Sequence, residues 1–481
     1  NLYSADGFKK LLNEGFSCEN TLIPYVPTYT APGHSSLFTG SVPAINGIVG
    51  NNWFDKQTQK TVYCTDDSTV QVVGSNSRVN KMSPRNLYTT TITDELRLSN
   101  NFKSRVFGIS LKDRAAILPA GHSANAAFWY DDAEGKWVTS TYYMKELPVW
   151  LKKINEKNLP DAYMSKNWST LLPIDKYNLS TEDDKPYEEA ITGEHTVTFP
   201  HKLPQITAHK YEAFKYTPFA NTFTFNLAKA VITNEKLGSN NVADFLTINI
   251  ATTDYIGHSF GPNSIEIEDT YLRLDNDIAA FLQFLDKNFG KGNYLLFLSA
   301  DHGAAHIPAF LNEHNIPAGV FNQSTFTREI NQLMEKKFSL KNIVLNIQNY
   351  QVYLNTDLLE NHSRQLPEIK QAIIDYLKEQ PYIINAFETE KISIISIPEP
   401  IKKMLINGYD PKRSGDIQFI VKPQYFDGTN KGTTHGSWNA YDTHIPLLWY
   451  GWNIKHGKTH REIYMTDIAP TIAAMLKIQM P

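Results

Sequence analysis

The apolar positions of the chain gather into short unbroken runs that stop abruptly in polar clusters. Residues 105–111 (RVFGISL) run into Lys112, Asp113 and Arg114, and residues 243–251 (ADFLTINIA) run into Thr252, Thr253 and Asp254. Residues 294–299 (YLLFLS) run into Ala300, Asp301, His302 and Gly303, and residues 444–450 (HIPLLWY) form a further run near the end. A run that is apolar at nearly every position marks a strand buried on both faces. Helical periodicity fills the intervals at 89–99, 223–235, 266–289 and 467–476, the last with Pro470 in its first turn. The opening NLYSADGFKKLLNEG also reads as a helix, with Ser4 or Asp6 as N-cap and Gly15 as stop. Strands alternating with helices predict an α/β fold, a mostly parallel central sheet with helices on both faces.

Two long segments interrupt the alternation. Residues 122–222 hold a hairpin-like AAFWYDDAEGKWVTSTYY and a middle rich in Pro, Lys and Asp; residues 304–430 hold a helix at 371–378 and a short strand at 416–421. Both are predicted as insertions in one domain spanning 1–481, because His435, after the second, belongs with the chemistry of the core.

Composition narrows the class. Of the 481 residues, 41% are hydrophobic and 20% charged, enough to bury a sizeable core, which excludes a disordered chain. The formal net charge is −4 and no basic run stands out, which argues against nucleic acid as the partner. No stretch approaches the ~18 apolar residues of a membrane span, and the opening helix does not read as a signal peptide. The two cysteines, Cys18 and Cys64, read either as buried free thiols or as one disulfide, which would place the protein outside the cytosol.

The polar clusters carry the candidate chemistry. Asp254 and His258 are one helical turn apart, so both can reach one cation. Asp301 and His302 occupy the same place on another strand, and His435 lies in a glycine-flanked loop (GTTHGS). Open α/β sheets bind ligands at the carboxyl ends of their strands, where all three sets fall. Carboxylate and imidazole ligands without thiolate suit zinc, with manganese or iron as alternatives. In PTYTAPGHSSLFTG, Thr30 falls where a helix should begin, a position that favours an anion; a metal or a base would be needed to activate its hydroxyl, and zinc coordination would do so. Each feature also has a plainer reading: Asp254 or Thr30 as a helix cap, Lys112 and Arg114 as solvated charges. His34 is predicted to be a structural hydrogen-bonder.

Taken together, Thr30-Ala-Pro-Gly-His34, Gly47-Ile-Val-Gly-Asn51-Asn52, Asp254 with His258, Asp301 with His302, and His435 resemble the alkaline phosphatase superfamily, over nearly the whole chain. The resemblance implies that Thr30 is phosphorylated during turnover and that Asn51 donates a hydrogen bond to a phosphate oxygen. It implies two Zn2+, one held by Asp254, His258 and His435, the other by Asp301, His302 and Thr30. Ser110-Leu-Lys112-Asp-Arg114 resembles the threonine-nucleophile bacterial phosphate monoesterases (the PafA-type alkaline phosphatases), whose Lys and Arg contact the phosphoryl group. Nucleotide pyrophosphatase/phosphodiesterase relatives share the Thr and Asn and lack that pair. Lys112 and Arg114 alternate on an extended segment, so they point to one side, and would compensate the extra charge of a dianion. The family pattern also has an aspartate upstream of the nucleophile on a first strand, which the resemblance places before Asn1; Asp6 does not substitute for it.

The implied function is hydrolysis of small-molecule phosphate monoesters through a phosphothreonine, over a broad substrate range, with inorganic phosphate inhibiting as product. A monomer is expected, periplasmic or secreted, since an unselective phosphatase would strip cytosolic metabolites. The alternatives are a phosphodiesterase or nucleotide pyrophosphatase on the same scaffold, or a catalytically silent ectodomain that binds phosphorylated ligands.

Overall fold

The structure, a computed structural model, describes residues 2–76, 81–360 and 362–480. Two five-stranded sheets organise it. In the first, Val106–Ser110 is flanked in parallel by Phe245–Ile248 and Ala126–Asp131, and Lys136–Ser140 and Val72–Val73 continue it antiparallel. In the second, His444–Gly451 runs antiparallel between Leu295–Ser299 and Phe16–Leu22, and Gly457–Thr459 and Ile463–Tyr464 pair in parallel with Phe16–Leu22. The α/β class is as the sequence predicts, but the pairing is mixed rather than mostly parallel. Burial on both faces selects a continuous apolar run whichever way the strand points, so the pattern could not report direction.

The predicted runs sit in the core. Phe107 and Ile109 pack with Phe128, Trp137, Phe223 and Phe281 on one side. Leu447 and Trp449 pack with Leu37, Ile92, Ile468 and Ile472 on the other. The helices there are Phe219–Asn234 and Ile265–Phe289 on the first side, and Thr30–Thr39, Ile92–Ser99 and Ile468–Leu476 on the second. Thr91 and Asp94 form a reciprocal capping box at the start of Ile92–Ser99. The opening helix, Phe8–Glu14, ends at Gly15 as predicted, but neither Ser4 nor Asp6 caps it. Asp275, from the long helix, accepts instead from the N–H groups of Ser4 (2.6 Å) and Phe8 (2.7 Å).

The hairpin of segment 122–222 joins the first sheet directly, through the pairing of Ala126–Asp131 with Val106–Ser110. Segment 304–430 builds its own antiparallel sheet from Val344–Gln348, Gln351–Leu354, Ile417–Val421 and Ile383–Glu388, with a core that includes Phe326, Ile373 and Phe419. It leans on the site through Asn349, whose Nδ2 donates to the Asn52 carbonyl at 2.8 Å. Cys18 and Cys64 are both free and buried, in separate core clusters, so the disulfide alternative is not realised. Among the described residues no helix is long and apolar enough to cross a membrane.

Phe245–Ile248 and Leu295–Ser299 each have one edge that pairs with no described strand. Both lie under Phe38, whose ring is 6.2 Å from Phe245 and 6.1 Å from Phe297. Both are only partly buried, although they stand between helical layers.

Candidate active site

Lys112, Arg114, Asp301 and His302 lie just beyond the carboxyl ends of Val106–Ser110 and Leu295–Ser299, and Asp254 and His258 on the helix that follows Phe245–Ile248. Thr30 begins a helix and Asn51 directly precedes the strand Asn52–Asp55, while His435, expected at a strand's carboxyl end, lies instead in the loop leading to His444–Gly451. Thr30 is the first residue of Thr30–Thr39 and is buried; its Oγ1 stands 3.4 Å from His302 Nε2. That helix approaches the Asp301 backbone closely because residue 33 is glycine: a Cβ there would lie 2.5 Å from the Asp301 carbonyl oxygen. Asn51 uses its Oδ1 to accept the Ala31 N–H at 2.8 Å, which engages the oxygen and leaves the Nδ2 group as the amide's donor.

Asp254 is the hub. It sits in the first turn of Thr252–Phe260, and His258 follows one turn later. Asp254 Oδ1 is 3.3 Å from His258 Nε2, 3.7 Å from His435 Nε2 and 3.9 Å from His302 Nε2. The donor atoms of Asp254, His258 and His435 all lie within 4.8 Å of one another. Beside them, Asp301 Oδ2 is 3.3 Å from His302 Nε2. The rings of His302 and His435 stack at 3.4 Å.

Backbone carbonyls orient all three imidazoles. His258 Nδ1 meets the Thr433 carbonyl at 2.8 Å, His302 Nδ1 the Gly303 carbonyl at 2.9 Å, and His435 Nδ1 the Thr28 carbonyl at 2.7 Å. A carbonyl only accepts, so each Nδ1 carries the proton and each Nε2 turns a lone pair inward, the arrangement of metal-ligating histidines. The donor set therefore fits a divalent cation of the zinc type.

Burial works against the ionised carboxylates, yet His258 and Lys112 hold Asp254 well below the usual range, and His302 and His34 hold Asp301 below it. Burial, with His302 nearby, pushes His435 well below an ordinary histidine, which favours the neutral, ligating form. Lys112 is 4% exposed; its Nζ pairs with Asp254 Oδ2 and lies 4.8 Å from the Tyr255 ring centroid. Arg114, two residues on, is half-buried; it lies in the first turn of the helix Asp113–Ala120, so the extended segment expected through 112–114 ends at Lys112, the residue before the helix. His34 is the structural hydrogen-bonder the sequence predicts. Its Nε2 is 3.1 Å from Asn249 Nδ2, and burial lowers its pKa to about 4.

Sequence reasoning missed the supports of this constellation. Asn249 Oδ1 accepts from Ser110 Oγ at 2.8 Å, and Ser110 Oγ accepts the Lys112 N–H at 2.9 Å, so one polar chain runs from His34 to Lys112. Tyr63 Oη contacts both Arg114 and Asp113. No local signal marks Tyr63, which lies about fifty positions from its partners.

Carboxylates and imidazoles converging beside a buried helix-terminal threonine define a metal-dependent hydrolase centre for phosphoesters. The sequence matches the family described as Type I phosphodiesterase / nucleotide pyrophosphatase across residues 2–446, and the chain belongs to it. It is 52% identical over 484 residues to a Myroides odoratus protein named calcium-transporting ATPase, covering 100% of this chain and 88% of that one. It is 51% identical over 485 residues to alkaline phosphatase PafA of Elizabethkingia meningoseptica, with the same coverage. The crystal structure of wild-type PafA superposes at a TM-score of 0.97 with 51% identity, covering 100% of this chain and 92% of that chain. A PafA variant substituted at one threonine, one asparagine, one lysine and one arginine superposes equally well, at 50% identity and the same coverage.

Proposed function

We infer that this chain is an alkaline phosphatase that hydrolyses small-molecule phosphate monoesters through a phosphothreonine. Full-length similarity of about half the residues to PafA supports the reaction. The observation that carries the mechanism is the convergence of Thr30, the Asp254–His258–His435 trio and the Asp301–His302 pair around one point. Asp254, His258 and His435 would hold one zinc ion, and Asp301, His302 and Thr30 the other. Bound there, the metal pair supplies Lewis acidity for the nucleophile and for the departing oxygen.

The chain's own residues do the rest. Thr30, fixed at a helix start, presents its hydroxyl to phosphorus, and the helix N–H groups favour the anion there. Asn51 donates from Nδ2 to a non-bridging oxygen, and Lys112 and Arg114 stabilise the remaining equatorial charge, the dominant kind of help for such transfers. Lys112 must then be shared between Asp254 and substrate. The phosphothreonine is hydrolysed in a second step. Few groups would contact the leaving alcohol, so broad substrate tolerance follows, and the groups that hold the phosphoryl oxygens would also hold inorganic phosphate, which should inhibit as product. The same four residue types that are altered in the PafA variant stand here at 30, 51, 112 and 114.

The unpaired edges beside Asp254 and Asp301 suit one more extended segment. Such a segment would bring the additional carboxylate that the family pattern places with Asp301 and His302. A location outside the cytosol remains our reading, resting on the unselective chemistry now that both thiols are free, and a monomer remains the expected state. The name of the matched family favours a second reading, phosphodiester hydrolysis, which the ratio of the two activities separates.

Acid quenching during turnover of a 32P-labelled monoester tests the intermediate. Label should remain on the peptide containing Thr30 and vanish in Thr30→Ala, along with activity. An active enzyme that never carries label would overturn the mechanism.

A further inference from the structure

The geometry points to Tyr63 as a positioning residue that holds Arg114 for a phosphate dianion and so sets the preference for monoesters over diesters. The inference rests on the assignment of Arg114 to the phosphoryl group given above.

Tyr63 ends the strand Lys60–Tyr63 of a two-stranded hairpin with Asn52–Asp55, well away in sequence from the helix Asp113–Ala120 that carries Arg114. Its Oη lies 3.0 Å from Arg114 Nη1 and 2.8 and 3.0 Å from the two oxygens of Asp113. A guanidinium only donates and a carboxylate only accepts, so the single phenolic proton must point to Asp113 while the oxygen accepts from Arg114. Thr65 Oγ1 donates to Asp113 Oδ1 at 2.7 Å and holds the far end.

Two consequences follow. The phenol stands between adjacent residues of opposite charge, so Asp113 steadies Arg114 through one intervening group instead of closing on it as a direct ion pair. The charge of the guanidinium stays available. Burial works against that charge, and Tyr63 and Asp113 more than offset it. Second, Nη1 is engaged while Arg114 Nε is buried and has no partner. A buried charged donor left unmade is unfavourable. A phosphate oxygen is an acceptor that would satisfy it, and the planar fork allows a bidentate contact. Pinning one nitrogen fixes the plane in which the others meet substrate, and a monoester offers one more charged oxygen to that edge than a diester.

The test compares wild type, Tyr63→Phe, Arg114→Ala and the double variant on p-nitrophenyl phosphate and bis(p-nitrophenyl) phosphate. Zinc content and melting temperature are measured alongside, so that a damaged fold is recognised. We expect Tyr63→Phe to lower kcat/KM for the monoester at least tenfold and for the diester less than threefold. The Ki for inorganic phosphate should rise in parallel, and adding Tyr63→Phe to Arg114→Ala should cost less than threefold more. Equal losses on both substrates, an unchanged Ki, or a full tenfold further loss without Arg114 would overturn the role of Tyr63. An Arg114→Ala enzyme with an unchanged monoester-to-diester ratio would instead overturn the reading of Arg114, and the proposal with it.

Discussion

Replacing Lys112 by alanine separates the two candidate reactions most directly. The side chain is 3% exposed, and its Nζ faces Asp254 and the Tyr255 ring. Removing it deletes one positive charge from a site that must hold a dianion in the monoester reaction and a monoanion in the diester reaction. At ~4 Å and an effective dielectric of ~20, one unit of charge interacts with another by about 4 kcal/mol, an upper bound for the difference between substrates. A hydrogen bond to a charged group sets a lower figure of about 1.5 kcal/mol. At about 1.4 kcal/mol per decade, monoester kcat/KM should fall about 10- to 1000-fold further than diester kcat/KM. The variant also strips Asp254 of an ion-pair partner, which alters cation binding, but that effect is common to both substrates and cancels in their ratio. The assay is steady-state kinetics on both nitrophenyl esters with matched zinc content. A ratio that stays within threefold of wild type would refute the charge argument.

Exhaustive dialysis against a strong chelator should remove essentially all activity, and zinc should restore it at two ions per chain by elemental analysis. Asp254→Asn should retain fewer, and full activity in metal-free protein would contradict the site. A separate expectation concerns alkaline stability. His201, between Glu194 (2.8 Å) and Glu266 (3.3 Å), opposes its burial through those carboxylates and has its pKa pushed up to about 9; burial and Glu266 push Glu188 up to about 9. Both groups bind protons more tightly folded than unfolded. Glu188's contribution fades from about pH 4.5 upward and that of His201 from about 6.5, both being lost as pH passes 9. Melting temperature should therefore fall between pH 7 and 9.5, and Glu188→Gln should flatten that fall. An identical slope in the variant would rule out Glu188 as its source.

Much of the site was legible because its residues obey local rules. Asp254 and His258 are spaced by a helical turn, Asp301 and His302 follow an apolar run, and His435 sits between glycines. Each alone has an ordinary explanation, and only their resemblance as a set made them specific. What was not legible depends on pairs distant in sequence. The direction of His444–Gly451, the capping of Phe8–Glu14 by Asp275, and the phenol between Arg114 and Asp113 are all settled by tertiary contact. The two thiols show the same limit: cysteine count cannot reveal that Cys18 and Cys64 pack in different parts of the core.

The missing side chain at position 33 has a consequence for how such an enzyme can change. With the Asp301 carbonyl seated where a methyl would project, the spacing between the helix that begins at Thr30 and the loop of Asp301 and His302 is set by main chain pressed on main chain. Rotamer choices elsewhere cannot loosen that gauge, so the outlying segments can vary in sequence while the separation of Thr30 from Asp301 stays constant.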